Sequence, residues 1–416
     1  MGILGIGIFL SIAFLVSENK KRVVWRTILT GLLLQFALAL LILGIPKLGV
    51  GAPLRFVFEA FTQLIDRFMA FTQEGSKFVF GPLAETKDSW GFIFAFQVIP
   101  TILFFSSVTA VAYHLGLLQK VVKAFAWLMR RTLGVSGPES LAASAEIFLG
   151  QTESPLLIKP YLPTMSRSEI FALMTGGMAT VAGGVLAAYV GLLKGRIPDI
   201  AGHLLTASVL AAPAALVIAK LMVPESQKDL ISKKSETSID LPLPNDANII
   251  DAAARGASEG LKLGLNVAAM LICFIALIAL GNSVVSSLNG FVFGVENMDL
   301  SRILGFVFSP IAFLIGVPWA DCGQIGNILA EKVVLNEFVA YIHLADFGAQ
   351  LSDRGVTLAS YALCGFANFA SIGIQIGGTG AMAPTRRAEI AQMGLKAVLA
   401  GNLASFLTAA VVSLLI

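Results

Sequence analysis

The chain has 416 residues, of which 56% are hydrophobic and only 13% charged, with a mean hydropathy of +0.83. Soluble domains carry about 25% charged residues, and several apolar runs here reach the ~20 residues that span a hydrocarbon core; a soluble globular protein is excluded and an all-α polytopic membrane protein is predicted. The net charge of +3 sits mainly in loops, and no nucleic-acid partner is expected, only membrane lipid.

The first apolar run, Gly2 to Val16, is followed by Lys20, Lys21, Arg22 and Arg26. The positive-inside rule assigns that cluster to the cytoplasm and the N-terminus to the outside. Charges that follow the run, rather than precede it, indicate a retained span and not a cleaved signal peptide. A second span covers about Thr27 to Leu48. Over residues 54–80, Phe56, Phe58, Phe61, Ile65 and Phe68 are set against Glu59, Gln63, Asp66 and Arg67, the pattern of a helix lying in the interface. A third span, about Gly91 to Leu118, leads to Lys120, Lys123, Arg130 and Arg131 on the inside.

The next apolar segment holds EIFLGQTESP (146–155) and is too interrupted to cross. Two spans, about Ser168 to Leu193 and His203 to Val223, precede a polar linker from Pro224 to Asp246. Its Lys228, Lys233 and Lys234 place it in the cytoplasm. NIIDAAARGASEGLK (248–262) reads as a short amphipathic helix, with Asp251 and Arg255 spaced to pair at i,i+4. A span from about Leu263 to Leu288 follows. Over residues 302–350 an apolar helix stops at GVPW (316–319), and a longer helix containing NEFVAY comes after it. The seventh span, about Thr357 to Met382, contains CGFANFASIG; after Arg386 and Arg387 the last span runs to Ile416. Eight transmembrane helices, two re-entrant hairpins and the interfacial helices put every main basic cluster on one side and both termini outside.

An interrupted hairpin, a glycine-broken span and a plain span occur at 139–223, and the same three recur at 302–416, entering from the opposite side. Interrupted segments paired in two halves point to an inverted repeat with a midplane binding site. The remaining regions are 1–138, with the N-terminal spans, and 224–301, with the linker, its helix and one span. A channel would also use such segments, but broken spans paired with hairpins favour alternating access over a fixed pore. HExxH and a GxGD-type aspartate pair are absent, which argues against an intramembrane enzyme.

Unwound backbone is tolerated at membrane depth only where protein or a water-filled cavity satisfies it. Gly150 and Pro155 bracket Gln151, Thr152 and Glu153 as a hairpin tip; ATVAGG (179–184) weakens the next helix; Gly365 to Gly373 encloses Asn368 and Ser371. Gly183 and Gly184 also suit close helix packing, and the amides and hydroxyls also suit interhelical hydrogen bonding. Phe366 alone reads as packing. Glu153 and Glu337 resist such readings, because an intramembrane carboxylate costs roughly 2.5–3.5 kcal/mol to insert. The residues together predict a secondary transporter for a polar, neutral small molecule, with no cofactor.

GQTESPLLIKPYLP (150–163), ATVAGGVLAAY (179–189), NEFVAY (336–341) and CGFANFASIG (364–373) closely resemble the concentrative nucleoside transporter family, in its bacterial cation-coupled members. The resemblance covers nearly the whole chain. It implies nucleoside import, of uridine and related substrates, across the inner (cytoplasmic) membrane by a homotrimer. Each protomer would pair a scaffold (1–138 and 224–301, for the most part) with a transport unit (139–223 and 302–416) that moves like an elevator. It further implies that Gln151, Thr152, Glu153 and Val185 read the nucleobase, and that Glu337, Phe366, Asn368 and Ser371 hold the ribose.

In sodium-coupled members the ion lies between the hairpin and the broken span, at positions that match Glu146, Leu149, Thr180 and Val181 here. Glu146 stands where those members have asparagine, which is a departure. A carboxylate in a partly dry site can take up and release a proton in each cycle. An anionic Glu146 would instead strengthen sodium binding, although its extra methylene crowds a small ion. Proton coupling is the favoured expectation and sodium coupling the alternative.

Overall fold

The computed structural model describes residues 1–84, 93–197, 199–226, 246–292, 300–347 and 350–416, and among these the architecture is all-α. Lys228, Lys233 and Lys234 of the predicted cytoplasmic linker lie outside the described residues. Among the described residues, six helical stretches are long and apolar enough to cross a membrane: Trp25–Leu43, Phe94–His114, Arg167–Leu193, Ile200–Met222, Ile249–Gly281 and Pro384–Ser413. The first predicted span is a 14-residue helix, α1 (Gly2–Leu15), about 21 Å long. The seventh is divided into two shorter helices.

Helix α2 (Trp25–Leu43) is followed by α3 (Arg55–Phe80), which matches the predicted interfacial segment. Its polar side includes Asp66, paired with Lys194 at 2.7 Å, while Phe56, Phe71 and Phe78 are exposed. The third span begins as the four-residue α4 (Phe94–Gln97) and continues as α5 (Ile99–His114), with Pro100 in the first turn of the second piece. An amphipathic helix, α6 (Leu117–Leu133), then turns the chain into the first hairpin.

That hairpin consists of α7 (Gly137–Ala145), an irregular tip, and the short α8 (Ser154–Leu157). Ser136 and Glu139 form a capping box at its start, so the helix begins where its first amides are satisfied. Behind it stand α9 (Arg167–Ala179) and α10 (Gly183–Leu193), two halves of one span, and α11 (Ile200–Met222), buried almost throughout. Lys220 of α11 is buried and joins these pieces: its Nζ lies 2.5 Å from Glu139, 2.6 Å from Glu225 and 3.1 Å from the Ser168 hydroxyl.

The segment predicted as a short helix followed by a span is one continuous helix, α12 (Ile249–Val292). No proline interrupts it, and Gly256, Gly260 and Gly264 form a stripe that lets it lie against α5. A Cβ on Gly256 would fall 2.6 Å from the Ser106 carbonyl oxygen, and one on Gly260 2.9 Å from Leu103 Cα. Such small-residue stripes are how membrane helices reach backbone contact. The expected Asp251–Arg255 pair does not form. Arg255 instead binds Asp246 at 2.7 and 2.9 Å and Glu259 at 3.1 Å, and Asp251 accepts from the Ala247 amide. A fork held by Asp246 outcompetes an exposed i,i+4 neighbour.

The second half contains α13 (Leu300–Ile315), α14 (Cys322–Val334), α15 (Glu337–Phe347), α16 (Asp353–Leu363), α17 (Phe369–Met382) and α18 (Arg387–Ser413). GVPW is the turn between α13 and the elements that follow. The interruption that carries Glu337 lies later, at Leu335–Asn336, where Asn336 Oδ1 accepts from the Val339 amide and starts a new helix. NEFVAY therefore opens α15 and is not the interior of a longer helix. An asparagine that can cap outweighs the apolar continuity around it.

Three of the predicted basic clusters come to one end of the bundle. Arg22, Arg26 and Arg131 line a common cavity of about 270 Å³. Arg167 bridges Glu18 at 3.0 Å and Glu389 at 3.5 Å, and Glu389 pairs with Arg386 at 2.6 Å. The buried core is formed by α9, α10, α11 and α18, whereas α12 is mostly exposed along its apolar length.

Candidate functional site

Three interruptions meet inside the core. The α9–α10 break leaves Thr180 extended (φ −114°, ψ 169°). The α16–α17 break passes through Gly365, whose φ of +111° is in the region that favours glycine. A Cβ at Gly365 would fall 2.6 Å from the Met178 carbonyl oxygen and 2.7 Å from that of Ala179, so the two broken spans touch backbone to backbone at their bends. The tip of the first hairpin closes on the same place, with the Gly183 amide donating to Phe148 O at 3.0 Å.

Freed carbonyls at these bends need donors, because water is scarce there. Ser208 donates to Ile147 O at 2.9 Å, Ser405 to Cys364 O and Asn402 to Ala367 O at 2.8 Å each, and the buried Lys332 ammonium to Ala362 O at 2.8 Å. The irregular backbone is thus held by α11, α14 and α18. Gly365→Ala should cost about 1–3 kcal/mol through its φ and the contact with α9. A lower thermal midpoint in detergent is the expected result, while Gly373→Ala, at an open position of α17, should leave the midpoint in place.

Glu337 stands at the start of α15 and is 5% exposed. Its Oε1 accepts from the Tyr189 hydroxyl at 2.8 Å and its Oε2 from Asn368 Nδ2 at 2.9 Å. Asn368 is also the N-cap of α17, since its Oδ1 accepts from the Ser371 amide at 2.9 Å. Ser371 Oγ accepts from Gln151 Nε2 at 3.0 Å, which joins this group to the first hairpin. Gln151, Glu337, Asn368 and Ser371, predicted from segments far apart, therefore form one hydrogen-bonded chain. Phe366 is half-buried at the bend, and Val185 is buried in the first turn of α10. Thr152 is exposed beside Gly378 of α17. Glu153 turns back on its own loop, where it accepts from the Gly150 amide at 3.2 Å.

Glu146 lies behind the tip and is 1% exposed. Its Oε1 accepts from the Ser154 hydroxyl at 3.1 Å, and its Oε2 has no donor among the described residues. That second oxygen points at Gly176 of α9, where a Cβ would overlap it. Thr180 is one turn further along, with its hydroxyl donating to Gly176 O at 2.9 Å. Leu149 and Val181 are buried alongside. The four residues of this second group come from the hairpin and the broken span, on either side of their contact.

Sequence reasoning misses five contributors. Tyr189 is a phenol in the otherwise apolar α10, placed one turn after Val185. Gln375 follows Ser371 by four residues, hence on the same face of α17, and reaches Gln151. Ser154 is visible within the hairpin motif. Gly176 and Gly177 attract less notice than Gly183 and Gly184, yet they clear space for Glu146 and for Gln151, respectively. Gly184 packs against Ser106 of α5, the close helix packing that its sequence also suits.

Residues 203–413 match the family described as Na+ dependent nucleoside transporter C-terminus, residues 95–196 nucleoside recognition, and residues 4–83 Na+ dependent nucleoside transporter N-terminus. The uncharacterized transporter YutK of Bacillus subtilis is 46% identical, over 100% of this chain and 99% of that protein. Solute carrier family 28 member 3 of Mus musculus is 40% identical, over 99% of this chain and 58% of that protein. A solved structure of CNTnw in an inward-facing substrate-bound state superposes with a TM-score of 0.90 at 40% identity, covering 100% of this chain and 97% of that one.

Proposed function

The chain belongs to the concentrative nucleoside transporter family, and from that premise we propose that it imports nucleosides in symport with protons. It is a multi-pass membrane transporter and not an enzyme. Glu337 carries the substrate reading. A buried carboxylate that already accepts from a phenol and an amide suits a ligand with adjacent hydroxyls, such as a ribose, with Asn368, Ser371 and Phe366 around it. Gln151, Thr152, Glu153 and Val185 are then left to face the base.

Glu146 supports proton coupling. A charge buried with a single hydrogen bond is costly, and the space vacated at Gly176 is taken by the carboxylate itself. A proton relieves the unmatched oxygen without enlarging the site. The description of the matched family as Na+ dependent favours the alternative, in which Glu146, Thr180 and the backbone of Leu149 and Val181 bind sodium. Within this reading the protein is a homotrimer in a bacterial inner membrane, with both termini outside. Its hairpins and broken spans (139–223 and 302–416) move against a scaffold made mostly of the remaining residues.

The test is uptake of labelled uridine into proteoliposomes with proton and sodium gradients imposed separately. Accumulation driven by an inward proton gradient, without sodium, is expected, and the internal product should be unchanged nucleoside. A strict sodium requirement would replace the proton reading with the sodium one. Absence of nucleoside uptake under either gradient would reject the substrate.

A further inference from the structure

Gln375 lies at the centre of the polar contacts between the first hairpin, α9 and α17, and its side chain is 2% exposed. Its Nε2 donates to the Met174 carbonyl at 2.9 Å and to Gln151 Oε1 at 3.1 Å. Gln151 Nε2 in turn donates to Ser371 Oγ at 3.0 Å. Residue 177 permits this approach because it is glycine: a Cβ there would lie 2.8 Å from Gln151 Cβ and 3.3 Å from Gln375 Nε2.

The two ends of an amide are nearly isosteric, so their orientation is decided by what the neighbours can do. Met174 O is a backbone carbonyl and can only accept. It draws the nitrogen of Gln375, and the second hydrogen on that nitrogen meets Gln151. Gln151 must answer with its oxygen, which leaves its own nitrogen turned toward Ser371 and the ligand groups. Ser371 cannot impose this orientation, because a hydroxyl donates or accepts equally well. Gln375 Oε1 has no donor among the described residues, so no donor there favours the reverse arrangement. Turning either amide over would oppose like groups in a buried place, a shift of about 5- to 150-fold in population.

We propose that Gln375 is a positioning residue that holds the Gln151 amide nitrogen-outward, so that the site selects bases offering a hydrogen-bond acceptor at that edge over bases offering an amine. The proposal rests on the nucleoside reading above. A ligand that displaces the Gln151–Ser371 bond leaves the Gln375–Gln151 bond in place, so the polarity shown to the base is set before the ligand arrives.

Uridine and cytidine separate the possibilities, since one carries a carbonyl oxygen where the other carries an amine. Their dissociation constants are measured by calorimetry on the purified full-length protein and two variants. Wild type should prefer uridine. Gln375→Glu offers at most one hydrogen, which Met174 O takes, and the same oxygen, standing where Nε2 was, then accepts from the Gln151 nitrogen. The amide is then turned over, and the ratio of the two constants should move toward cytidine by about tenfold. Gln375→Met removes the donor without replacing it, and the ratio should fall toward unity. An unchanged ratio in both variants, or an equal loss of both affinities, overturns the proposal and leaves Gln375 as a packing residue. A wild-type protein that binds neither nucleoside would instead overturn the substrate reading beneath it.

Discussion

Glu337→Gln should weaken uridine binding about 10- to 150-fold, the size expected when a charge-assisted hydrogen bond worth about 1.5–3 kcal/mol is lost. The carboxylate accepts at both oxygens, from Tyr189 at 2.8 Å and Asn368 at 2.9 Å, and retains lone pairs for a ligand. An amide at 337 has one oxygen. If that oxygen keeps the Asn368 bond, its NH2 faces the Tyr189 hydroxyl, which must turn round to accept. If it keeps Tyr189, two NH2 groups oppose each other at Asn368, and the N-cap of α17 is pulled with them. Either way the ribose loses an anionic acceptor, and one of its two supports is misplaced. Calorimetry on the purified variant measures the loss directly. Normal affinity would mean that the sugar hydroxyls are held elsewhere.

The reach of sequence reasoning differs between the helices and the groups at their breaks. Span positions are legible because an uninterrupted apolar run of ~20 residues matches the thickness of a hydrocarbon core and suits little else. The broken spans are legible because glycine, asparagine and serine are out of place in them. Glu337 is marked by the cost of an intramembrane carboxylate alone, whereas Asn368 and Ser371, which also suit interhelical hydrogen bonding, are singled out by the family resemblance. What stays hidden depends on which face of a helix meets which neighbour. Gln375 lies one turn beyond a recognised motif, yet its partner is 224 positions away in the chain. Gly176 and Gly177 look like any small pair until a carboxylate and an amide are found opposite them. Boundaries fail where polar competition is decisive. Asn336 adds a second break, at the start of α15, to the one at GVPW, and Asp246, outside the helix, draws Arg255 away from Asp251.

Glu146→Gln separates binding from driving force. The substitution keeps the length of the side chain and lets an amide oxygen accept from Ser154, so the hairpin tip and the nucleoside groups beyond it should stay in place. It cannot gain or lose a proton. Uridine should therefore bind within a few fold of wild type, while accumulation against a gradient falls to the background of empty liposomes. Exchange of external labelled uridine for internal unlabelled uridine should persist, because a permanently neutral side chain resembles the loaded carrier in every part of the cycle. Loss of exchange together with binding would show that the variant damages the hairpin and says nothing about coupling; Glu146→Asn then supplies the second measurement. Asparagine withdraws from Gly176 and opens that space, and sodium-stimulated uptake in this variant alone would place the choice of ion at residue 146. Wild-type uptake that needs sodium and ignores the pH gradient would make Glu146 a sodium ligand, with its second oxygen completed by the ion and not by a proton.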